Sequence, residues 1–441
     1  MSSRDEPSSF RFAIRALRSR NYRLFFAGQS VSLIGTWMTR IATSWLVYRL
    51  TRSPFLLGVS SFAGSIPLFL LAPIAGVWID RWDRHRTLIV TQVGSMIQSF
   101  LLAALALTGT IDIWQIVALM LLQGVVNALD MPARQAFLVE MVDQREDLAN
   151  AIALNSSMVN AARLIGPSIA GLIIAAVGEG YCFLIDGISY LAVIASLMAM
   201  RVSKKPRHAA NRSALAEMRE GWRYVSQSLP IRSILLLLAL VSLLGMPYTV
   251  LMPVFAARVL HGGPHTLGYL MGAIGVGALA GALLLAARRT VLGLGRVIPL
   301  SAAIFGGALI AFGFSHMVWL SMVLLLAAGF GMMRQMAASN TLLQTIVEDE
   351  KRGRVMSFYA MAFAGMSPFG SLLAGVLAGR FGAPATVIAS GIFCLVGAGL
   401  FARQLPRLRE VIRPIYIQLG VLPEMASGIE SASELQTVTK G

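Results

Sequence analysis

Charge is scarce in this chain. Asp, Glu, Lys and Arg make up 13% of 441 residues against 56% apolar residues, with a mean hydropathy of +0.70; a soluble surface needs roughly twice that charge. A soluble globular protein is excluded. A transmembrane helix takes about 20 apolar residues, so twelve crossings would use roughly 240 and leave no room for a large soluble catalytic domain. Cysteine is nearly absent. Cys182 and Cys394, both in apolar surroundings, are too few for a disulfide framework or a four-ligand zinc site and read as packing residues. Lysine occurs only at 204, 205, 351 and 440. There is thus no Gly-Lys-Ser/Thr phosphate loop, which excludes an ATP-driven pump of that type. His261 and His265 are four apart, but Gly262, Gly263 and Pro264 between them prevent the helix that would turn both toward one metal. No enzyme chemistry, cofactor or metal is expected.

What the chain has is long apolar runs. Between charged or Gly/Pro breaks they give spans near 22–48, 54–79, 87–108, 113–131, 152–177, 181–200, 232–257, 265–287, 297–315, 318–337, 356–378 and 384–402. The fold class expected is an all-α membrane protein of twelve transmembrane helices in two pseudo-symmetric six-helix bundles. Residues 1–21 are polar and arginine-rich, and the apolar run after them is too long for a signal-peptide core, so they read as a retained tail. With twelve crossings, 31 of the 37 Lys and Arg fall on the side of both tails, Arg334 among them as a loop residue. Arg49, Arg52, Arg258 and Arg380 lie opposite, and Arg40 and Arg163 lie inside spans. By the positive-inside rule both termini are cytoplasmic, in a bacterial inner membrane. The same asymmetry accounts for the net charge of +16 as topology, so a nucleic-acid partner is not expected.

The chain repeats itself. Val31-Ser-Leu-Ile-Gly35 recurs as Val241-Ser-Leu-Leu-Gly245, and Leu57-Gly58 as Leu267-Gly268, both 210 positions later. Gly124 matches Gly329 after 205, and the frame Gly166, Ala170, Gly171, Gly178 matches Gly370, Ala374, Gly375, Gly382 after 204. An ordered series with a nearly constant offset points to two six-helix halves in parallel repeat, with a substrate site where they meet. The domain reading is a tail at 1–21, bundles at 22–202 and 231–405, a connector at 203–230 and a tail at 406–441. In the connector Ser213 is a candidate N-cap, and Leu215, Met218, Trp222 and Val225 share one helical face, as in an interfacial helix on an anionic leaflet.

Three stretches carry a family resemblance. The loop after the second span reads Gly76-x-x-x-Asp80-Arg81-x-x-Arg84-x-Arg86, and the fifth span reads Arg163-Leu-Ile-Gly166-Pro167-Ser-Ile-Ala-Gly171. These resemble the loop motif of the major facilitator superfamily and the Gly-Pro signature of its proton-antiporter branch. Leu122-Gln123-Gly124 through Asp130-Met-Pro132-Ala-Arg134, followed by Leu148-Ala-Asn150-Ala, is similar to the subfamily of the enterobactin exporter and macrolide efflux proteins. There are departures. Leu121 stands near where many drug antiporters place a buried arginine, and Arg288 and Arg289 lack an accompanying aspartate.

The resemblance implies a secondary active transporter, a monomer, exporting small amphipathic molecules of siderophore or drug type by alternating access, in exchange for protons. An importer of a small metabolite on the same scaffold, or a non-transporting receptor or assembly subunit, are the alternatives. It also implies that Asp80 latches the cytoplasmic gate with Arg81, Arg84, Asp130 and Arg134 as neighbours. Gly166, Pro167 and Gly171 either form the occluding contact between halves or serve packing alone; Gly277 and Gly281 read as packing. Arginines inside a span cost about 2.5–3.5 kcal/mol each and are seldom kept without a cavity or partner. Arg40 and Arg163, with Trp37 and Tyr248, are therefore the candidate substrate-binding residues, and they favour acidic or catecholate-like substrates. Asp186, beside Arg40 as a possible ion-pair partner, Asp130 and Glu179 are the acidic residues available for proton coupling, with Asp186 and Asp130 the candidates taken forward.

Overall fold

The computed structural model describes residues 15–202, 214–288 and 290–418, with 72–74, 76, 77, 80, 81, 145, 214–218 and 418 described by backbone alone. The described residues form helices and no strand. The first half contains α1 Arg20–Thr51, α2 Pro54–Arg81, α3 Arg84–Leu107, α4 Ile113–Met141, α5 Leu148–Val177 and α6 Glu179–Met198. A connector helix, Ala214–Gln227, leads to α7 Leu229–Val259, α8 Pro264–Ala286, α9 Leu294–Gly313, α10 Val318–Ile346, α11 Asp349–Phe381 and α12 Ala383–Gln418. Eleven of the twelve are long and apolar enough to cross a membrane. The exception is α1, where Arg20, Arg23, Arg40 and Arg49 interrupt 32 residues; it packs along α5 and α6.

Local chemistry sets the ends. Ser53 caps α2 by accepting from the Leu56 N–H at 3.3 Å, with Pro54 in the first turn, where its missing N–H costs nothing. Asp83 accepts from the Arg86 N–H at 3.1 Å to cap α3, and Asp112 with Gln115 closes a capping box on α4. The α5–α6 and α11–α12 turns are made by Gly178 (φ 93°) and Gly382 (φ 86°), repeat partners in a conformation that side chains with a Cβ rarely adopt. Three helices outrun their apolar stretches: α4 passes 131 to Met141, α10 passes 337 to Ile346, and α12 passes 402 to Gln418. Propagation is easy once a helix is nucleated, so it continues into polar sequence. The assignment of Arg334 to a loop is thereby corrected. It lies inside α10, about 18 Å from its end at 1.5 Å per residue.

The two halves repeat one packing order. In the first, contacts run α2–α4–α3–α6–α1–α5; in the second, α8–α10–α9–α12–α7–α11. Small residues show the correspondence at atomic scale. A Cβ on Gly124 of α4 would fall 2.7 Å from the Gly64 carbonyl of α2, and one on Gly329 of α10 would fall 2.2 Å from the Ile274 carbonyl of α8. Gly277 and Gly281 press α8 onto α10 at Leu326 and Phe330, as packing residues. One departure from symmetry has a plain cause. Pro247 stands on α7 where the repeat places Trp37 on α1, and around it α7 relaxes into π turns and a 3-10 turn.

The start of α1 and the end of α6 are tied by Asn21, whose side chain donates to the Arg201 carbonyl (2.9 Å) and accepts from its N–H (3.1 Å). Arg15 pairs with Asp147 at the start of α5 (2.8 Å), so these segments share one end of the bundle, here the terminal end. The connector helix docks at the same end on α11, through Glu220 with Arg354 (2.6 Å) and Trp222 against Phe358. Val225 is buried while Trp222 is largely exposed. Leu215 and Met218 are described by backbone alone, and Ser213 lies outside the described residues.

Candidate functional site: an arginine pair between the halves

The halves meet along two crossings, α5 with α8 and α2 with α11, which the internal repeat interchanges. Both are built from glycine on glycine. A Cβ on Gly171 would fall 2.9 Å from the Gly268 Cα and 2.8 Å from the Pro264 carbonyl; one on Gly58 would fall 2.9 Å from the Gly375 Cα and 2.7 Å from the Ser371 carbonyl. Such approach is open to residues without side chains. All four glycines lie near the end opposite the termini, and that end is drawn together. Phe369 of α11 meets Phe62 and Phe69 of α2 edge-on at 6.2 and 5.4 Å. Toward the terminal end, by contrast, Asn127 on α4 and Ser156 and Ser157 on α5 are exposed. Lipid disfavours exposed amides and hydroxyls at this depth, so they mark a wet crevice.

Gly166 sets the site. A Cβ there would fall 2.5 Å from Trp37 Cβ and 3.1 Å from the Ile34 carbonyl, so the glycine lets α5 lie directly on α1. Arg163, one turn away, is thereby laid over the Trp37 ring, 5.1 Å from its centre, while Arg40 lies 4.7 Å from the same centre. The two cations repel one another. Neither has an ion pair among the described residues. Arg40 is exposed and Arg163 half-buried, about 16 Å and 21 Å from the opposite ends of α1 and α5. Stacking returns about 0.5–2 kcal/mol per cation against an insertion cost of about 2.5–3.5. Water in the crevice can offset the rest. Tyr248 faces Arg163 from the second half, fully buried against Phe305, its hydroxyl without a hydrogen-bond partner.

The other expected residues fall in different places. The anticipated Arg40–Asp186 pair is not formed: Asp186 accepts from Ser99 Oγ at 2.9 Å, and Trp37 holds the Arg40 guanidinium instead. Asp130 is satisfied within its half by Thr91 (2.8 Å), Gln92 (2.7 Å) and an ion pair with Arg134 one turn on. Arg84 pairs with Glu140 on α4 at 2.9 Å. Gly76, Asp80 and Arg81 lie in α2, where only the backbone is described, so the proposed latch falls outside the described side chains. Gly166 and Gly171 divide the helix-5 motif between two tasks. Gly166 packs α5 inside its own half, while Gly171 and the Pro167 carbonyl meet Gly268 across the halves. Sequence reading missed Arg334, stacked on Phe330 at 5.6 Å with no ion pair among the described residues. It also missed the buried polar face of α3, Thr91, Gln92, Ser95, Gln98 and Ser99. The spacing of three and four along that helix was the available signal. A separate cavity of about 390 Å³, apolar with Arg296, Arg409 and Arg413 in its lining, lies by the terminal ends of α7, α9 and α12.

Two glycine-sealed crossings, a repeated six-helix packing order and unpaired arginines in a wet crevice together define a membrane transporter of the major facilitator fold. The chain belongs to the transmembrane secretion effector family of that superfamily, whose sequence profile matches residues 12–413. It is 30% identical over 373 residues to the staphyloferrin A transporter of Staphylococcus aureus, covering 84% of this chain and 92% of that one. It is 27% identical over 385 residues to the multidrug efflux pump Tap of Mycolicibacterium fortuitum, covering 86% and 93%. Among solved structures it is similar to a bacterial homologue of the human lysosomal transporter Spinster in an inward-facing, unoccupied conformation. The TM-score is 0.71 at 14% identity, covering 89% of this chain and 98% of that one.

Proposed function

We propose that this protein is a monomeric exporter of small amphipathic molecules bearing negative charge, siderophore- or drug-like, working across the bacterial inner membrane by proton antiport with both termini in the cytoplasm. The moving bodies are 22–202 and 231–405, rocking about the crevice between them. One observation carries the substrate class: Arg40 and Arg163 share the Trp37 ring without a carboxylate partner. Two adjacent guanidiniums on an aromatic face suit a carboxylate or catecholate attached to an apolar body, since each fork accepts an oxyanion while the ring takes the carbon skeleton. The relatives named for a siderophore and for multidrug efflux support the amphipathic class.

The test is export of an anionic chelator from cells or proteoliposomes. Arg163→Gln lowers the rate roughly 10- to 150-fold, from the loss of one hydrogen bond to a charged group of about 1.5–3 kcal/mol, and Arg163→Lys restores part of it. Export by Arg163→Gln at the wild-type rate overturns the assignment.

A further inference from the structure

Asp186 is a carboxyl that the packing does not need. It is 1% exposed on α6, with Oδ2 accepting from Ser99 and Oδ1 without a partner. Gly35 of α1 presses on it so closely that a Cβ would fall 2.6 Å from Oδ1. The second half provides an internal control. There Gly245, the repeat partner of Gly35, presses on Cys394 and Phe305, at 2.9 Å from Sγ and 2.5 Å from the ring. The same crossing is made with a thiol and an aromatic ring in one half and with a carboxyl in the other. Helix α3 differs from its counterpart in the same way. Its buried face reads Thr91, Gln92, Ser95, Gln98, Ser99, whereas that of α9 reads Val297, Ile298, Ser301, Ala302, Phe305. A carboxyl and amides buried within a membrane bundle are costly, and a fold that closes the corresponding face of the other half with one serine and apolar residues retains them here for another reason.

These groups lie in order between Asp186 and the exposed part of α4. Tyr190, one turn from Asp186 on α6, faces Ser95 and lies 3.3 Å from the Thr36 hydroxyl; Thr39, three residues on along α1, faces Asp186. Ser95 accepts from Gln123 at 3.0 Å, and Gln123 donates to Asn127 at 3.1 Å, where α4 is exposed. The titratable groups around Asp186 are Cys182 and Tyr190 on α6. The neighbours from α1 and α3, Thr39 and Ser99, carry no charge, and Asp130 on α4 acts on Tyr190. Among the described residues no cation pairs with Asp186.

We propose that Asp186 is the proton-binding carboxyl of the exchange, seated inside the first half and apart from the arginine crevice, with Tyr190, Ser95 and Gln123 joining it to the terminal end. The proposal rests on the antiport reading above. The carboxylate gains one proton when the halves part at the opposite end, about 10 Å away along α6. It gives that proton up when the crevice faces the terminal end, through the Tyr190 and Ser95 hydroxyls to water held at Gln123 and Asn127. One O–H bond forms and one breaks, and no electrons move. Substrate and proton touch different side chains, so their coupling passes through the rocking of the halves.

The experiment uses the full chain in proteoliposomes, with a pH-sensitive dye inside and an anionic chelator as substrate. For Asp186→Asn the expected result is loss of substrate-driven proton movement and of transport driven by a pH gradient, with chelator affinity and substrate-for-substrate exchange unchanged. Tyr190→Phe, which removes only a hydroxyl, slows gradient-driven transport about three- to tenfold and leaves exchange intact, and it decides the matter if Asp186→Asn does not fold. Gradient-driven transport at the wild-type rate in either folded variant overturns the proposal. A wild-type protein that transports without moving protons overturns the antiport reading itself.

Discussion

At the scale of single residues, the site depends on what is missing from a side chain as much as on what is present. Arg163 reaches Trp37 because Gly166 has no Cβ to hold α5 away from α1. Gly166→Ala, forcing a contact of 2.5 Å on Trp37 Cβ, is expected to shift Arg163 off the ring. Affinity for an anionic substrate then falls more than stability does; calorimetric titration beside a melting curve checks this, and equal loss of both would show a packing role alone. Asp130 behaves differently. Two hydrogen bonds and the Arg134 ion pair hold it inside the first half. Asp130→Asn is expected to cost about 1.5–3 kcal/mol of stability, read as a lower melting temperature in detergent, while substrate affinity is preserved. Arg40, Arg163 and Trp37 were legible as a group from the sequence, because charge inside an apolar run is conspicuous. Asp186 was legible as a buried acid, but its expected partner was wrong, since position along two helices gives depth and not the direction in which each side chain points.

At the scale of elements, the glycine crossings hold the halves together at the end opposite the termini. Gly58 with Gly375 and Gly171 with Gly268 are equivalent under the repeat, so a bulky residue in either pair meets the same obstacle, backbone at under 3 Å. Gly171→Leu and Gly58→Leu are each expected to keep the opposite end from closing. A cysteine placed at that mouth then labels faster with a membrane-impermeant thiol reagent, and unchanged labelling in both variants would contradict the gate. The offsets of 210 and 204 positions already paired these glycines by sequence with their counterparts in the other half. What the offsets lacked was the cross-pairing, in which Gly58 meets Gly375 and Gly171 meets Gly268. Contact between halves depends on how two bundles face each other, and a repeat in one dimension carries no such information.

At the scale of the whole molecule, polarity and symmetry pull apart. The halves share a packing order, yet the first holds Asp186, Asp130 and the polar face of α3, while in the second the corresponding face of α9 is apolar apart from Ser301. We propose the orientation from the distribution of charge, with 31 of 37 basic residues expected on the side of both tails, a bias that the place of Arg334 inside α10 reduces by one. Reporter tags at both termini are expected to be accessible only from the cytoplasm, and periplasmic access to either would refute the arrangement.

The sequence by itself determined the class: apolar runs too long and too numerous for water, basic residues sorted to one side, and glycines repeated at a fixed interval. These are properties of composition and spacing, and the bilayer reads them through hydropathy and charge before any tertiary contact forms. Only the tertiary structure decided that Arg40 and Arg163 share one indole ring, that Asp186 has no cation beside it among the described residues, and that the glycines bring one end together across the halves. Each of these depends on the rotation of one helix about its axis relative to another. That rotation is set by the close packing of many small side chains at once, which no single stretch of sequence contains.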